Sequence, residues 1–451
     1  MKSWIWIITS RNMVLKIKFS LMLMPLLCLF GGGAAYSQVT FVFPDSTYKH
    51  IQVLFEDSLY TLSLTENHAV ISLSGKPGYA VVYSKHRADN VFVVPGEPLR
   101  MVMDKDRHWT FLGAGKCVNE YLQSEFLKTL SLPYEEQEED FLHHWDSLRR
   151  VLPVFLEHCQ LPDSFVVKEK QRLHYVACNM LLDYPMRHSR IVGSTYVPTA
   201  SYYRCLKSEM RESEIDCWEY RQSFSKWIEQ VCAGRRRTNN QLDDFENRLQ
   251  YVGDSITDLR LKDYLVHELF YWYVRHHGIE GISSYMPVYK KNVYTEMRKN
   301  EFAQLCQRYT KLQKGQSAPD FMLVDIAGNR VSLADFKGKH VYIDVWASWC
   351  APCCKEMPHL AMLERRFAGK PVAFVSVSID EDEADWKRKV RELDLRGNQL
   401  YAGKTNFKGD YQITLVPRFV LLSPDGTIID ANMTRPSDPK THNALLEILG
   451  D

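Results

Sequence analysis

The sequence predicts an α/β fold with a central sheet for the C-terminal third of the chain. Apolar runs at residues 340–346, 372–379 and 418–422 have the short length expected of buried strands. Residues 350–367 and 381–393 lie between these runs and are predicted to be helices. Because strands and helices alternate along the chain, we expect helices packed on a sheet.

Three further elements complete this predicted layer. Residues 321–325 and 330–333 flank the turn sequence Ala327-Gly328-Asn329 and are predicted to form a hairpin. A short strand at residues 427–429 follows another turn, and residues 441–449 are predicted to form the last helix.

Two different patterns precede the α/β region. Between residues 40 and 111, short alternating apolar runs are separated by turn residues, which predicts a small antiparallel β domain. From residue 117 the period becomes helical: Phe141, Trp145, Leu148 and Leu152 share one helix face, and Pro153 should end or kink that helix.

Length and composition indicate several ordinary globular domains. The 451 residues are 45% hydrophobic and 25% charged, and the formal charge of +1 provides no field that would favour nucleic acid. We predict an export signal in residues 1–37, a β-rich domain in 38–115, a helical region in 116–313 and the α/β domain in 314–451.

The N-terminus has the pattern of an export signal. Lysines precede an apolar stretch at residues 19–30, which is too short to span a membrane, and small residues follow it. We predict cleavage near Ser37. Lipid attachment at Cys28 is the less favoured alternative, and translation could instead start at Met13.

The sequence Trp349-Cys350-Ala351-Pro352-Cys353 directly follows the predicted strand 340–346. Cys350 should lie at the first turn of a helix, where unpaired N–H groups and the helix dipole favour a thiolate. Cys353 lies one turn deeper and is predicted to resolve a mixed disulfide. Pro352 suits the first helical turn, and Trp349 is predicted to form an apolar wall beside the site.

Two carboxylates are placed to take part in proton transfer. Asp344 lies inside the buried strand, where its pKa should be raised, and Glu356 lies on the same helical face as Cys353. The alternatives are a structural hydrogen bond for Asp344 and a merely exposed position for Glu356. Val416-Pro417 precedes the strand 418–422, where a proline suggests a cis bond or a functional position.

From about residue 314 the chain resembles the periplasmic thioredoxin-like thiol–disulfide oxidoreductases of the TlpA/ResA type. The resemblance rests on Ala318-Pro319-Asp320-Phe321, Trp346-Ala347-Ser348-Trp349-Cys350-Ala351-Pro352-Cys353, Lys355-Glu356-Met357-Pro358 and Val416-Pro417. It implies a thioredoxin fold in which Cys350 is the nucleophile, Cys353 resolves, Glu356 tunes the pair and Pro417 is cis. The preceding part resembles, more weakly, the β-rich N-terminal domain often fused to such modules.

The resemblance implies a periplasmic reductase that acts on disulfide-containing envelope proteins and receives electrons from a membrane or periplasmic dithiol donor. We expect neither a metal nor a cofactor, and no nucleic acid. Two alternatives remain: a partner- or glycan-binding envelope protein with a passenger redox module, and a peroxiredoxin-like peroxidase. The latter is disfavoured because Ala347 replaces the Thr or Ser expected three residues before the reactive Cys.

The remaining cysteines leave two questions open. Cys354 stands where relatives usually have a polar residue; it could compete in resolution, although a side chain rotated off the active face is favoured. The central cysteines could pair in an oxidising compartment or be buried apolar side chains: Cys117, Cys159, Cys178, Cys205, Cys217, Cys232 and Cys306.

Overall fold

The fold is that of a computed structural model, which describes residues 6–9, 13–16, 37–84, 87–94, 96–113, 115–213, 217–233 and 241–450. The chain divides into two compact units, Met1–Leu261 and Lys262–Asp451. The apolar stretch 19–30 of the predicted export signal and Cys28 lie outside the described residues. Among the described helices, none has the length and apolar content needed to cross a membrane. The domain boundaries at residues 37, 115 and 313 stay predictions.

The first unit contains a short strand pair and two four-stranded sheets. The strands are β1 (Trp6–Thr9), β2 (Met13–Lys16), β3 (Ser37–Val42), β4 (His50–Phe55), β5 (Ser58–Ser63), β6 (His68–Leu73), β7 (Gly78–Ser84), β8 (Arg87–Val93), β9 (Leu99–Met103) and β10 (Trp109–Gly113). β1 pairs with β2, and the two larger sheets have the strand orders β10-β9-β3-β6 and β5-β4-β7-β8.

Alternating side chains form the core of this β region. In β4, Ile51, Val53 and Phe55 are buried while His50 and Gln52 are exposed, as the period of a half-buried strand requires. The strand pairs in both sheets are antiparallel except β3 with β9, which is parallel. The predicted β-rich segment with antiparallel sheets is confirmed, with this one parallel pairing added.

The predicted helical region is confirmed after the sheets. Its helices are α1 (Lys116–Leu122), α2 (Glu125–Lys128), α3 (Glu138–Glu157), α4 (Asp163–Val192), α5 (Ala200–Glu209), α6 (Trp218–Ala233) and α7 (Gln241–Ser255). In α3, Phe141, Trp145 and Leu152 are buried as the sequence predicts. Pro153 does not end the helix, because Leu152 and Leu156 pack into the same core on either side of it.

The second unit combines helices with one seven-stranded sheet. Its elements are α8 (Leu259–His277), α9 (Met286–Asn292), α10 (Glu296–Thr310), β11 (Met322–Asp325), β12 (Arg330–Ser332), β13 (His340–Trp346), α11 (Ala351–Arg366), β14 (Val372–Ser378), α12 (Glu383–Glu392), β15 (Asn398–Tyr401), α13 (Phe407–Asp410), β16 (Arg418–Leu422), β17 (Ile428–Met433) and α14 (Pro439–Leu449). The strand order is β12-β11-β15-β14-β13-β16-β17.

The sheet of this unit is mixed and is covered on both faces. β13 runs parallel to β14 and antiparallel to β16. Its Tyr342 packs with Leu360 and Leu363 of α11, whereas its Ile343 belongs to the opposite cluster with Phe407. This double burial explains why β13 is almost continuously apolar. The predicted α/β layer is therefore confirmed, and β13 lies inside the sheet between β14 and β16.

Candidate active site

Cys350 and Cys353 lie where β13 leads into α11, and a disulfide of 2.06 Å joins their sulfur atoms. Cys350 is the N-cap residue of α11, and the Cys353 N–H donates a hydrogen bond to Cys350 Sγ over 3.2 Å. This N–H is one of those that a helix leaves unpaired in its first turn. Together with the helix dipole, it can stabilise a thiolate at Cys350 once the disulfide is reduced.

The two cysteines are buried beneath exposed neighbours. Only 4% of Cys350 and 1% of Cys353 is accessible, so the predicted difference in exposure is small in the oxidised form. Trp349 is 70% exposed, and Pro352, at the first turn of α11, is exposed as well. Trp349 therefore provides apolar surface next to the disulfide rather than an enclosed wall.

Asp344 is buried in the centre of β13. Ser376 Oγ on the neighbouring strand donates a long hydrogen bond of 3.4 Å to its carboxylate. Burial, aided by the negative charges of Glu356 and Glu364, raises the pKa of Asp344 to about 7, while the Ser376 hydrogen bond opposes this shift. The carboxyl can therefore exchange a proton near neutral pH, as the sequence predicts.

Glu356 lies on α11, one turn after Cys353, and is buried rather than exposed. Its carboxylate accepts hydrogen bonds from Ser437 N–H at 3.0 Å and from Ser437 Oγ at 2.9 Å. Arg435 Nη1 lies 4.0 Å away. Sequence analysis missed Ser437 and Arg435, because they follow Glu356 by about 80 residues and belong to no local pattern.

The peptide bond between Val416 and Pro417 is cis, as the resemblance implies. β16 begins at the next residue, Arg418, which pairs with Val345 in β13. This register brings Val416 into the cluster that contains Cys350 and Cys353. The preceding Leu415 is 50% exposed and adds apolar surface to this edge of the site.

Asp380 holds the loop that leads to Cys350. Its buried carboxylate accepts hydrogen bonds from Ser348 N–H at 3.0 and 3.1 Å, from Ser348 Oγ at 2.7 Å and from Ser378 Oγ at 2.7 Å. These contacts join the end of β14 to the turn between β13 and α11. No sequence signal singled out Asp380, since its partner Ser348 lies 32 residues earlier in the chain.

The third thiol of the site is half-buried. Burial raises the pKa of Cys354, whereas the nearby Lys389 opposes this shift. Five of the central cysteines are likewise free thiols in this structure: Cys117, Cys159, Cys178, Cys205 and Cys306. Within the described ranges, no group of three or more His, Cys, Asp or Glu side chains is arranged to hold a metal ion.

Comparison with known proteins identifies the C-terminal part of the chain. Residues 313–446 match the Redoxin family. The thiol-disulfide oxidoreductase ResA of Bacillus cereus is 33% identical over 120 residues, which cover 27% of this chain and 69% of ResA. The thioredoxin-like protein YneN of Bacillus subtilis is 34% identical over 135 residues, which cover 29% of this chain and 79% of YneN.

Solved structures give matches of the same extent. The thioredoxin domain of a thiol-disulfide oxidoreductase from Bacteroides vulgatus is 32% identical and corresponds to 31% of this chain and 99% of that domain, with a TM-score of 0.29. A thiol:disulfide interchange protein from a Bacteroides species is 31% identical over 31% of this chain and 93% of its own, with a TM-score of 0.29.

The matches to the Redoxin family, to ResA and to YneN confirm the thioredoxin-like fold and the reaction class that the resemblance implies. They cover roughly the last third of the chain and leave the β-rich and helical regions without a counterpart in the relatives described above. Through its C-terminal domain, the chain belongs to the ResA-type thiol-disulfide oxidoreductases and is an enzyme of the thioredoxin type.

Proposed function

We propose that this enzyme reduces disulfides in cell-envelope proteins, with Cys350 as the nucleophile and Cys353 as the resolving thiol. One observation carries the proposal: Cys350 is the N-cap residue of α11, and its sulfur accepts a hydrogen bond from the Cys353 N–H. Only a thiolate attacks a disulfide, and a helix N-terminus lowers the pKa of a thiol. Cys353, one turn deeper, lacks this position.

The proposed reaction is two successive exchanges. The Cys350 thiolate attacks one sulfur of the substrate disulfide, forms a mixed disulfide and releases the other substrate sulfur as a thiolate. Cys353 then loses its proton and attacks Cys350 Sγ, which releases the second substrate thiolate. Two electrons have passed to the substrate, and the enzyme holds the Cys350–Cys353 disulfide seen in the structure.

Asp344 is the proposed acceptor of the Cys353 proton. A pKa of about 7 leaves a substantial fraction of this carboxyl ionised at neutral pH and still lets it hold a proton. Glu356 adds a second negative charge that raises the pKa of Asp344. In this assignment Glu356 tunes the acceptor and does not itself transfer the proton.

The proposed substrate site lies around the disulfide. Trp349 and Leu415 are exposed apolar side chains, and Pro352 lies beside the cysteines on the first turn of α11. Val416 and Pro417 form the edge to which an extended substrate segment would bind, next to the start of β16. Such a surface favours a protein substrate.

The location and the electron source are also part of the proposal. The predicted export signal supports a periplasmic location, where oxidised proteins occur. The enzyme needs no cofactor in this scheme, because a membrane or periplasmic dithiol donor would reduce its disulfide again. The alternative, that residues 38–313 bind a partner or a glycan with the redox domain as a passenger, remains to be tested.

A trapping experiment tests the assignment of the two thiols. With Cys353→Ser, the mixed disulfide on Cys350 cannot be resolved, so envelope proteins should accumulate covalently bound to the variant. Cys350→Ser should capture none, and Cys354→Ser in a Cys353-intact protein should turn over normally. If Cys350→Ser captures substrates as well as Cys353→Ser does, the proposed roles are wrong.

Two measurements test the direction of electron flow and the passenger alternative. Equilibration with glutathione should give a potential nearer the ~−270 mV of thioredoxin than the ~−120 mV of a strong oxidant. A potential close to that of the strong oxidant would mean that the enzyme oxidises its substrates instead of reducing them. If deletion of residues 38–258, which keeps α8 and α10 in place, abolishes partner capture but leaves insulin reduction intact, the segment before α8 supplies specificity.

A further inference from the structure

Two helices outside the region shared with the relatives contact the segment that carries the cis bond. We call residues 411–417, which end at Pro417, the cis-proline loop. The family match begins at residue 313, so α8 and α10 precede it. They nevertheless belong to the same compact unit as the sheet and the disulfide, because that unit begins at Lys262.

Tyr309 on α10 contacts the entry of the cis-proline loop. Its buried hydroxyl donates a hydrogen bond to Gln412 O over 3.4 Å. It also lies close enough to the guanidinium of Arg418, the residue that follows the loop, to oppose the lowering of the pKa of Arg418. A single side chain of α10 is thus near both ends of the loop.

The C-terminal turn of α8 makes a second connection. Arg418 Nη1 donates to Arg275 O over 3.4 Å, which satisfies a carbonyl that the end of α8 leaves unpaired. Arg275 Nε in turn donates to Thr414 Oγ1, in the middle of the loop, over 3.2 Å. α8 therefore contacts the loop at Thr414 and the residue after it, Arg418, on both sides of Leu415.

Arg418 makes these contacts from a buried position. Only 9% of it is accessible, and burial lowers its pKa, whereas the nearby Tyr309 and the charge of Asp430 oppose this shift. Unpaired donors are costly away from water, so the bond to Arg275 O should hold the start of β16 in place. Loss of the Tyr309 hydroxyl should loosen the preceding loop at Gln412.

We propose that Tyr309 and Arg275 are positioning residues that hold the cis-proline loop, so that α8 and α10 help to select protein disulfides as substrates. The inference rests on the proposed function, in which Val416 and Pro417 contact the substrate. A small disulfide reaches Cys350 without an extended chain that must lie along the loop. The contribution of the helices should therefore be specific to protein substrates.

The test compares Tyr309→Phe with Tyr273→Phe in the full chain. Tyr273 is a buried tyrosine of the same unit whose hydroxyl donates to Glu280 O over 2.8 Å, and it provides the matched control. In Tyr309→Phe, KM for insulin should rise roughly fivefold, the effect of one lost hydrogen bond to a backbone carbonyl. Turnover of oxidised glutathione should change less than about twofold. The reduction potential should shift by no more than a few millivolts. Tyr273→Phe should leave both substrates unaffected.

A second variant and a direct probe of the loop complete the test. Thr414→Val, an exposed substitution that removes the contact with Arg275, should raise KM for insulin by a smaller factor in the same direction. Amide hydrogen exchange in residues 411–417 should be roughly fivefold faster in Tyr309→Phe than in the wild type. Unchanged exchange, or an equal loss with insulin and glutathione, overturns the inference. A wild type that reduces neither substrate refutes the proposed function instead, while exchange still decides whether Tyr309 holds the loop.

Discussion

Replacement of Asp344 by Asn removes the one carboxyl of β13 and keeps its shape. The carboxyl is fully buried, and the hydroxyl of Ser376 is 3.4 Å away. Since burial disfavours its charged form, ionisation of Asp344 should destabilise the folded enzyme. Asn has no such form, so Asp344→Asn should be more stable than the wild type at alkaline pH.

The size of this effect follows from the shift of the pKa. The pKa rises from 3.8 to about 7, which corresponds to about 4 kcal/mol at about 1.36 kcal/mol per unit. Because the folded state has the higher pKa, the stability contributed by the proton is fully present below about pH 4 and is lost as the pH rises through about 7. About two pH units of this range, from pH 5 to the folded pKa of about 7, lie within the measured interval. The wild type should therefore lose about 2.7 kcal/mol of stability relative to the variant between pH 5 and pH 8.5.

Urea unfolding of both oxidised proteins at several pH values measures this difference. Asp325→Asn is the matched control, because Asp325 lies at the end of β11 in the same domain, where hydrogen bonds from Asn329 lower its pKa. That control should not reproduce the gain at alkaline pH. If the curves of the wild type and Asp344→Asn stay parallel from pH 5 to pH 8.5, the buried carboxyl does not titrate as argued.

Three further substitutions test the neighbouring contacts. Ser437→Ala removes the hydroxyl that donates to Glu356 at 2.9 Å and should lower the free energy of unfolding by about 1.5–3 kcal/mol in urea titrations; an unchanged midpoint would contradict a role for this bond. Asp380→Asn places an amide where the N–H and Oγ of Ser348 both donate. It should therefore slow insulin reduction and destabilise the fold by at least about 2 kcal/mol. Normal turnover would show that the contact between Asp380 and Ser348 does not hold the active-site loop. Cys354→Ser should leave the reduction potential and turnover unchanged, because burial raises the pKa of this thiol; a shifted potential would instead assign it a redox role.

Local patterns in the sequence were sufficient for the elements that carry the reactive thiols. Residues 340–346 were predicted as a strand from their apolar run alone, and β13 has those bounds. The helix predicted from residue 350 begins at Ala351, since Cys350 occupies the N-cap. The apolar run and the start of the helix determine these positions, and both are local properties of the sequence.

Contacts between distant segments could not be predicted in this way. The short strand Asn398–Tyr401 has no distinctive sequence pattern. It forms because it pairs with β14 on one side and β11 on the other. The parallel pairing of β3 with β9 depends on how two distant strands meet in the sheet. Pro153 stays within α3 because packing of the last turn outweighs the hydrogen bond that proline removes.

The two acids of the site illustrate the same limit and explain their division of labour. The sequence predicts that both Asp344 and Glu356 help proton transfer, with Asp344 as a candidate base, while the resemblance implies that Glu356 tunes the cysteine pair. Glu356 receives two hydrogen bonds from Ser437 and lies 4.0 Å from Arg435, whereas Asp344 has only the long contact with Ser376 in the centre of the sheet. A charge at Glu356 is therefore met by donors, and the same charge raises the pKa of Asp344. Because burial raises the pKa of Asp344 to about 7, we propose Asp344 as the acceptor of the Cys353 proton, with Glu356 as the neighbouring charge that raises this pKa further.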